Sequence, residues 1–351
     1  MTHEPGSAAE VQDLVPRSAS VTVIGGGTKS DAAAASSGTA VLSLARLRGI
    51  IDYSQEECVF TARAGTPISE IDSTLAHHRQ YLPFDPPFAA EGATLGGTVA
   101  AGLSGSRRYR YGGVRDFVIG VRVVDGEGRH IRSGGKVVKN AAGFLLHHAL
   151  VGSAGAFGVL TEVTVKVFPA PEARRYLAAD CGRVQRAFHL ARHIESLGAD
   201  CEAIDFDHQG RLTVAIAGRK AALDIRVERL QSALRSHVRD IEVLDEVAAT
   251  AMSVPAVSSV KVAGATRAWE PLRPHVLAAR FMCAGAVAWL FTSDVAAFDE
   301  ALDAERLRGV VIRGPGAGRR VGHWPTDVFE ERLRSVLDPG NRFSAASHPR
   351  R

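Results

Sequence analysis

The sequence predicts an α+β protein of two domains: a glycine-rich ligand-binding unit, then a smaller α+β unit on a mostly antiparallel sheet. Its 351 residues exceed the span of one typical domain. In the first half, short β-type runs end in glycine clusters, and many of the 35 glycines fall between Gly25 and Gly158. Such clustering marks backbone that approaches a ligand closely. Beyond Pro171 the texture changes to apolar residues at helical spacing, alternating with strand-like runs, as in helix–strand units packed on one sheet. The boundaries that follow are a flexible leader over 1–19, the ligand-binding domain over 20–171 and the smaller α+β domain over 172–314. A C-terminal segment over 315–351 then returns toward the first domain.

Taken in order, Val21–Ile24 is a short β run that ends in Gly25-Gly26-Gly27-Thr28-Lys29-Ser30. Strand-like runs follow at Ala40–Leu44, Ile50–Tyr53 and Cys58–Ala64. Pro67 opens a helix, with Thr66 placed as N-cap and Ile68, Ile71 and Leu75 on one face. After Pro83–Pro87 comes a second glycine-rich region, Glu91–Gly97. Phe117–Ile131 reads as a β-hairpin that turns at Asp125–Gly128. A short helix at Leu145–Val151 leads through Gly152, Gly155 and Gly158 into a period-two strand with Val159, Thr161, Val163, Val165 and Val167 on one face. In the second half, Val184–Leu197 and Leu223–Val238 have helical spacing, and strands are expected at Leu212–Ala217, Ala286–Phe291 and Val310–Arg313. Phe329–Leu337 is a closing helix, stopped by Asp338-Pro339-Gly340.

Composition excludes several classes. The net charge of +4 is small, and arginines are rarely interleaved with aromatics, so nucleic acid is not the expected partner. Cys58, Cys181, Cys201 and Cys283 are far apart and form no CxxC, as expected of thiols in a reducing cytoplasm. The leader lacks the apolar core of a signal peptide, and the most apolar stretch, Val276–Phe291, is interrupted by Arg280 and too short to span a bilayer. A soluble, cytoplasmic protein is expected, and docking on a membrane-bound partner stays compatible with that. The histidines lack HxxxH or HExxH spacing, so no metal is expected.

A diphosphate needs several backbone N–H donors converging on it, and side chains would block their approach, so glycines stand where chain curls around phosphate. Gly25–Ser30 has this character. It is not the dinucleotide fingerprint, because Ser30 stands where the third glycine would fall, and no GxxxxGK[ST] frame fits. A surface turn is the rival reading of a lone triple glycine. Gly152-x-x-Gly155-x-x-Gly158 mimics the fingerprint but precedes a strand instead of following one.

The ordered set is more specific than any one loop. Val23–Ser30, Leu82–Pro87 and Glu91–Gly105 are followed by Arg107-Arg108, Tyr111-Gly112, Arg115–Phe117, Gly134–Gly143 and Val151–Glu162. Together they resemble the PCMH-type FAD-binding domain of the vanillyl-alcohol oxidase family, and most of all its glycolate-oxidase E-subunit branch. The likeness covers about residues 20–171. It implies a domain of two α/β subdomains and FAD held non-covalently, since the Gly25–Ser30 loop contains no His or Cys for a covalent link. It also assigns the pyrophosphate to Gly25, Gly26, Gly27, Thr28, Lys29 and Ser30. Gly92, Ala93, Thr94, Gly96, Gly97, Gly102, Ser104 and Gly105 would lie along the diphosphate and ring edge. Gly158 and Val159 would reach the flavin from the far side, with Arg115, Lys139 and Asn140 as polar neighbours, although Lys139 and Asn140 could equally serve the turn. The sequence departs from the pattern twice: Phe144-Leu145 replaces Tyr-Asp, and Arg342–Ala345 replaces a Pro-Gly pair.

Oxidation of a 2-hydroxy acid needs a base for the hydroxyl, a cation for the carboxylate and a hydride acceptor. Arg319, Arg320 and His323 are the catalytic candidates, placed where the chain should return toward the flavin. His77-His78 and His147-His148 read as structural or surface residues. The resemblance further implies a larger flavoprotein subunit and an iron–sulfur subunit as partners, with oxidation on the larger subunit. Two alternatives stay open: a stand-alone FAD oxidoreductase of the cell-wall enolpyruvyl-sugar reductase kind, and a scaffold without flavin.

Overall fold

The computed structural model describes residues 2–29, 38–135, 145–238, 240–245, 257–325 and 328–343. Its first half holds three small sheets among the described residues, the smallest pairing Gln80–Tyr81 with Phe168–Pro169. Thr2–His3, Ala40–Ser43 and Val21–Ile24 lie side by side as a parallel three-stranded sheet. Ile50–Ser54, Val59–Arg63, Val159–Lys166, Val118–Val124 and His130–Gly134 form an antiparallel five-stranded sheet in that spatial order. Its central strand is the period-two run, with Val159, Val163 and Val165 fully buried. Alternating β-branched residues suit such a two-sided strand, where each face packs on a neighbour.

Two expectations fail here. The leader is not flexible: Thr2–His3 is a strand, and Ala8–Arg17 is a helix capped by the Ser7 hydroxyl, which accepts from the Glu10 N–H at 3.2 Å. Val11 and Val15, one helical turn apart, are both fully buried against the first core. Pro16 lies inside the last turn of this helix, where it gives up one backbone hydrogen bond. Nor does Thr66 cap the Ile68–His77 helix. Its hydroxyl donates to the Arg63 carbonyl at 2.7 Å and accepts from the Gly49 N–H at 2.9 Å, and Pro67 takes the N-cap position.

The second half is one antiparallel sheet of nine strands. Their order is Ile241–Leu244, Ala173–Asp180, Arg211–Gly218, Ala203–Asp207, Ala278–Met282, Val287–Thr292, Ser258–Ala263, Arg308–Arg313 and Arg320–Gly322. Helices Val184–Ser196, Lys220–Leu234 and Val295–Ala304 cover one face through Leu190, Ile194, Leu230, Phe298 and Leu302. The other face sends Met282, Trp289, Phe291 and Ile312 into the core of the first half. The sheet is therefore a partition between two hydrophobic clusters. Its inner face brings Lys261, Arg280 and Asp205 to the loop at Gly102–Ser106.

Helix Val328–Leu337 closes the chain onto the first half. Leu337 O accepts from the Gly126 N–H at 2.7 Å, and the buried Asp338 carboxylate takes the Arg342 and Phe343 N–H groups at 2.8 and 2.9 Å. Val21 N–H then donates to Arg342 O at 2.7 Å. Among the described residues no helix is long and apolar enough to cross a membrane.

Candidate functional site

The loop after strand Val21–Ile24 is held from behind by the second glycine region. A side chain at Gly25 would strike the Thr94 hydroxyl, and one at Gly26 would strike the Gly92 carbonyl. These two glycines are thus demanded by the protein's own packing. Gly27 and Gly92 differ: both adopt left-handed φ, +68° and +87°, and an added Cβ at either meets nothing within 4 Å. They mark the open side of the cradle. The amide N–H groups of Gly25, Gly26, Gly27 and Thr28 donate to no acceptor among the described residues. Consecutive free N–H groups around an open, side-chain-free concavity are what a diphosphate requires. The residues present fit the group.

Lys29 supplies the charge. Its ammonium lies 3.0 Å from the Thr28 hydroxyl and 5.7 Å from the centre of the Phe88 ring. Burial, and then the nearby Arg313, lower its pKa to about 8, with Glu91 opposing. Arg313 comes from the nine-stranded sheet, ion-pairs with Glu91 and stacks over Phe88 at 4.9 Å. Phe88 in turn meets Trp289 edge-on at 5.7 Å. Two halves of the chain therefore meet beside the cradle.

The other expected cofactor residues divide by role. Thr94 caps the helix Leu95–Ala101, accepting from the Gly97 N–H at 3.3 Å, and Ala93 is buried below it. Gly96 is needed because a Cβ there would press on Ala64. Gly102 takes φ +61° and would crowd Gly152 at 3.0 Å if substituted. Ser104 accepts from the Val114 N–H at 2.9 Å, and the Gly105 N–H donates to Phe84 O at 3.0 Å. Gly158 is required by the five-stranded sheet, since its Cβ would meet Val123 and Val124 at 2.7 Å; Val159 is fully buried in that sheet. Arg115 is exposed. Ser30, Lys139, Asn140 and Phe144 lie outside the described residues.

The expected catalytic constellation does not converge. Arg319 pairs with Asp299 at 2.7 Å and His323 with Asp303 at 3.2 Å, both carboxylates on the helix Val295–Ala304 that covers the far face of the sheet. Arg320 pairs instead with Glu330 at 2.7 Å and stacks on Trp324 at 4.7 Å. Adjacent residues on a strand point to opposite faces, so a run of polar neighbours cannot gather at one site. His147 is buried with Nδ1 3.1 Å from the Ser133 hydroxyl, and burial followed by His148 lowers its pKa. His77 Nδ1 lies 2.6 Å from Ser73 O, and His78 lies 3.2 Å from Gln55 Nε2.

Sequence reading missed a second polar group. Asp205, buried, accepts from the Ser106 hydroxyl, from Arg280 Nη2 at 3.0 Å and from the Cys283 N–H at 3.3 Å. Burial raises its pKa while Arg280 and Ser106 oppose. Ser106 follows the Gly102–Gly105 loop directly, so this carboxylate fastens that loop to the sheet. The turn it grips is strained: Cys283 and Ala284 both take left-handed φ, 55° and 53°. Lys261 reaches the same loop, donating to Gly102 O at 2.9 Å. The strands bearing Asp205, Lys261 and Arg280 gave no motif, and only their pairing makes them neighbours.

Comparison with known proteins defines the class first. Residues 2–134 match the FAD binding domain family, so the chain carries an FAD-binding domain, and FAD is its cofactor. Among individual proteins, the glycolate oxidase subunit GlcE of Escherichia coli K12 is 52% identical over 126 residues, 36% of either chain. The D-2-hydroxyglutarate dehydrogenase of Xanthomonas citri pv. viticola is 35% identical over 173 residues, 48% of this chain and 36% of that one. The chain thus spans about a third of the length of the curated relatives it matches. A solved alkyldihydroxyacetonephosphate synthase superposes with a TM-score of 0.71 at 17% identity, covering 99% of this chain and 76% of that one. That likeness shows the fold across both halves.

Proposed function

We propose that this chain is the FAD-binding subunit of a 2-hydroxy-acid oxidoreductase of the glycolate-oxidase kind, relaying electrons from hydroxy-acid oxidation to an iron–sulfur partner. The observation that carries the reading is the cradle: amides at Gly25–Thr28 with no acceptor among the described residues, open left-handed glycines at 27 and 92, and the half-buried Lys29 beside them. Bound FAD supplies two-electron acceptance. Gly27, Thr28, Lys29 and Gly92 hold the diphosphate, and Gly102–Ser104 line the continuation toward the sheet. Thr94 and Gly96 position the loops through packing and a helix cap. The substrate class follows the named relatives, two of which act on or belong to enzymes of 2-hydroxy acids by their names. The subunit role is supported by the candidate Arg319, Arg320 and His323, which are spent on Asp299, Glu330 and Asp303 and not gathered into a base-and-cation pair. Such a subunit works in the cytoplasm, at the inner membrane only through its partners.

The test is anaerobic addition of glycolate or D-lactate to the isolated, flavin-loaded chain. The expected result is a visible spectrum that stays oxidised, with reduction only once the larger subunit is added. Rapid bleaching of the isolated chain would overturn the subunit role in favour of a self-sufficient enzyme.

A further inference from the structure

The inner face of the nine-stranded sheet carries buried donors that the protein leaves short of acceptors. Ser259 and Lys261 lie two apart on strand Ser258–Ala263 and so share a face. Trp289 stands opposite Lys261, and Phe291 opposite Ser259. Trp289 and Phe291 pack into the core of the FAD-binding half, and Lys261 Nζ reaches Gly102 O, so this face looks onto the Gly102–Gly105 loop. Trp289 is 0% exposed and Ser259 1%. Neither the Trp289 indole N–H nor the Ser259 hydroxyl has a hydrogen-bond partner among the described residues. The Thr98 hydroxyl, on the helix that ends at Gly102, is orphaned likewise.

Lys261 adds an ammonium with three donors, of which Gly102 O takes one. Among the described residues no carboxylate pairs with it; burial and then the nearby Arg108 push its pKa down to about 8, with Cys283 opposing. Asp205, the buried carboxylate that grips the same loop, is already taken by Arg280, Ser106 and Cys283. A buried donor without an acceptor costs about 1–3 kcal/mol, and native folds rarely collect several in one place. Together Trp289, Ser259 and Lys261 present donors and positive charge on this face.

We propose that Lys261, Trp289 and Ser259 form an anion-accepting patch facing the flavin loops, built for a planar, delocalised oxygen-bearing edge. Two groups have that chemistry: the N–C–O edge of the FAD ring and the carboxylate of a small organic acid. The proposal rests on the flavoprotein reading above. A cation held in a dry, preformed site favours whichever partner carries or develops negative charge there.

The test uses the full chain loaded with FAD, its Lys261→Met variant and Ser259→Ala, which removes one orphaned hydroxyl with little change of volume. Measured are the FAD Kd, the flavin midpoint potential and the flavin difference spectrum on adding oxalate, a two-carbon dianion. If the ring edge occupies the patch, Lys261→Met weakens FAD about tenfold or lowers the potential by about 30 mV, the two-electron equivalent of tenfold, and the oxalate response survives. If a carboxylate occupies it, FAD affinity and potential hold while the oxalate response is lost. Either result supports the patch and names its occupant, and Ser259→Ala should shift the same quantity in the same direction by less. A Lys261→Met protein matching wild type in all three measurements overturns it. So does an unfolded Lys261→Met protein alongside an unaltered Ser259→Ala. Wild-type protein that takes up no FAD would instead sink the flavoprotein reading beneath it.

Discussion

Gly27→Ala separates the cofactor cradle from the fold that carries it. Gly27 takes φ +68°, and a methyl there meets nothing within 4 Å, so the apo protein should lose only the cost of a left-handed alanine, about 1–2 kcal/mol. The methyl stands on the open side, where the diphosphate is drawn to the amides of Gly25–Thr28. Displacing the ligand from one such donor forfeits a hydrogen bond to a charged group, about 1.5–3 kcal/mol, or about 10- to 100-fold in affinity. Gly26→Ala is the control, because its Cβ would be driven into the Gly92 carbonyl and should damage the apo fold first. The assay is FAD titration by flavin fluorescence, paired with a denaturation curve of each apo protein. Wild-type FAD affinity in Gly27→Ala would refute the placement of the diphosphate.

Three further outcomes follow. Lys29 holds its proton up to about pH 8 in the free protein, and a bound diphosphate raises that pKa, so FAD affinity should be full below pH 8 and fall as pH climbs above it; Lys29→Met should weaken binding and flatten the profile, and an unchanged slope would remove Lys29 from the site. Asp205→Asn takes the carboxylate from Arg280 and loosens the grip on Ser106 and the Cys283 turn, for about 3 kcal/mol in urea denaturation; a change below about 0.5 kcal/mol, the range of an ordinary surface substitution, would contradict it. Val11→Ala empties part of a fully buried position and should cost about 2 kcal/mol, whereas a flexible leader would register nothing.

The sequence announced the cradle because glycine spacing is a backbone signal: Gly25–Gly27 and Gly92–Gly97 are where chain meets chain or ligand without side chains between. It could not distinguish those two uses, and Gly25, Gly26, Gly96 and Gly158 turn out to serve packing. Strands with clean alternation or clear turn signals, such as Val159–Lys166 and the hairpin at Asp125, were legible for the same local reason. Six strands of the large sheet were not anticipated, among them Ala203–Asp207, Ser258–Ala263 and Ala278–Met282. Ala203–Asp207 and Ser258–Ala263 are buried on both faces and so lack the polar face that makes a strand readable, whereas Ile241–Leu244 is a short, largely exposed edge strand without apolar alternation. Lys261, Arg280 and Asp205 sit on these strands, and their meeting with the Gly102–Ser106 loop exists only through register. Arg319, Arg320 and His323 were grouped by nearness in sequence, which the alternation of a strand undoes.

We propose above all that the Gly25–Lys29 cradle holds FAD. Its most direct measurement is the flavin content of the purified chain, read from the visible spectrum and from FAD released on acid precipitation. Stoichiometric FAD is expected, all of it released without a covalent residue on the protein. A folded, colourless chain that takes up no FAD at saturating concentration would contradict it.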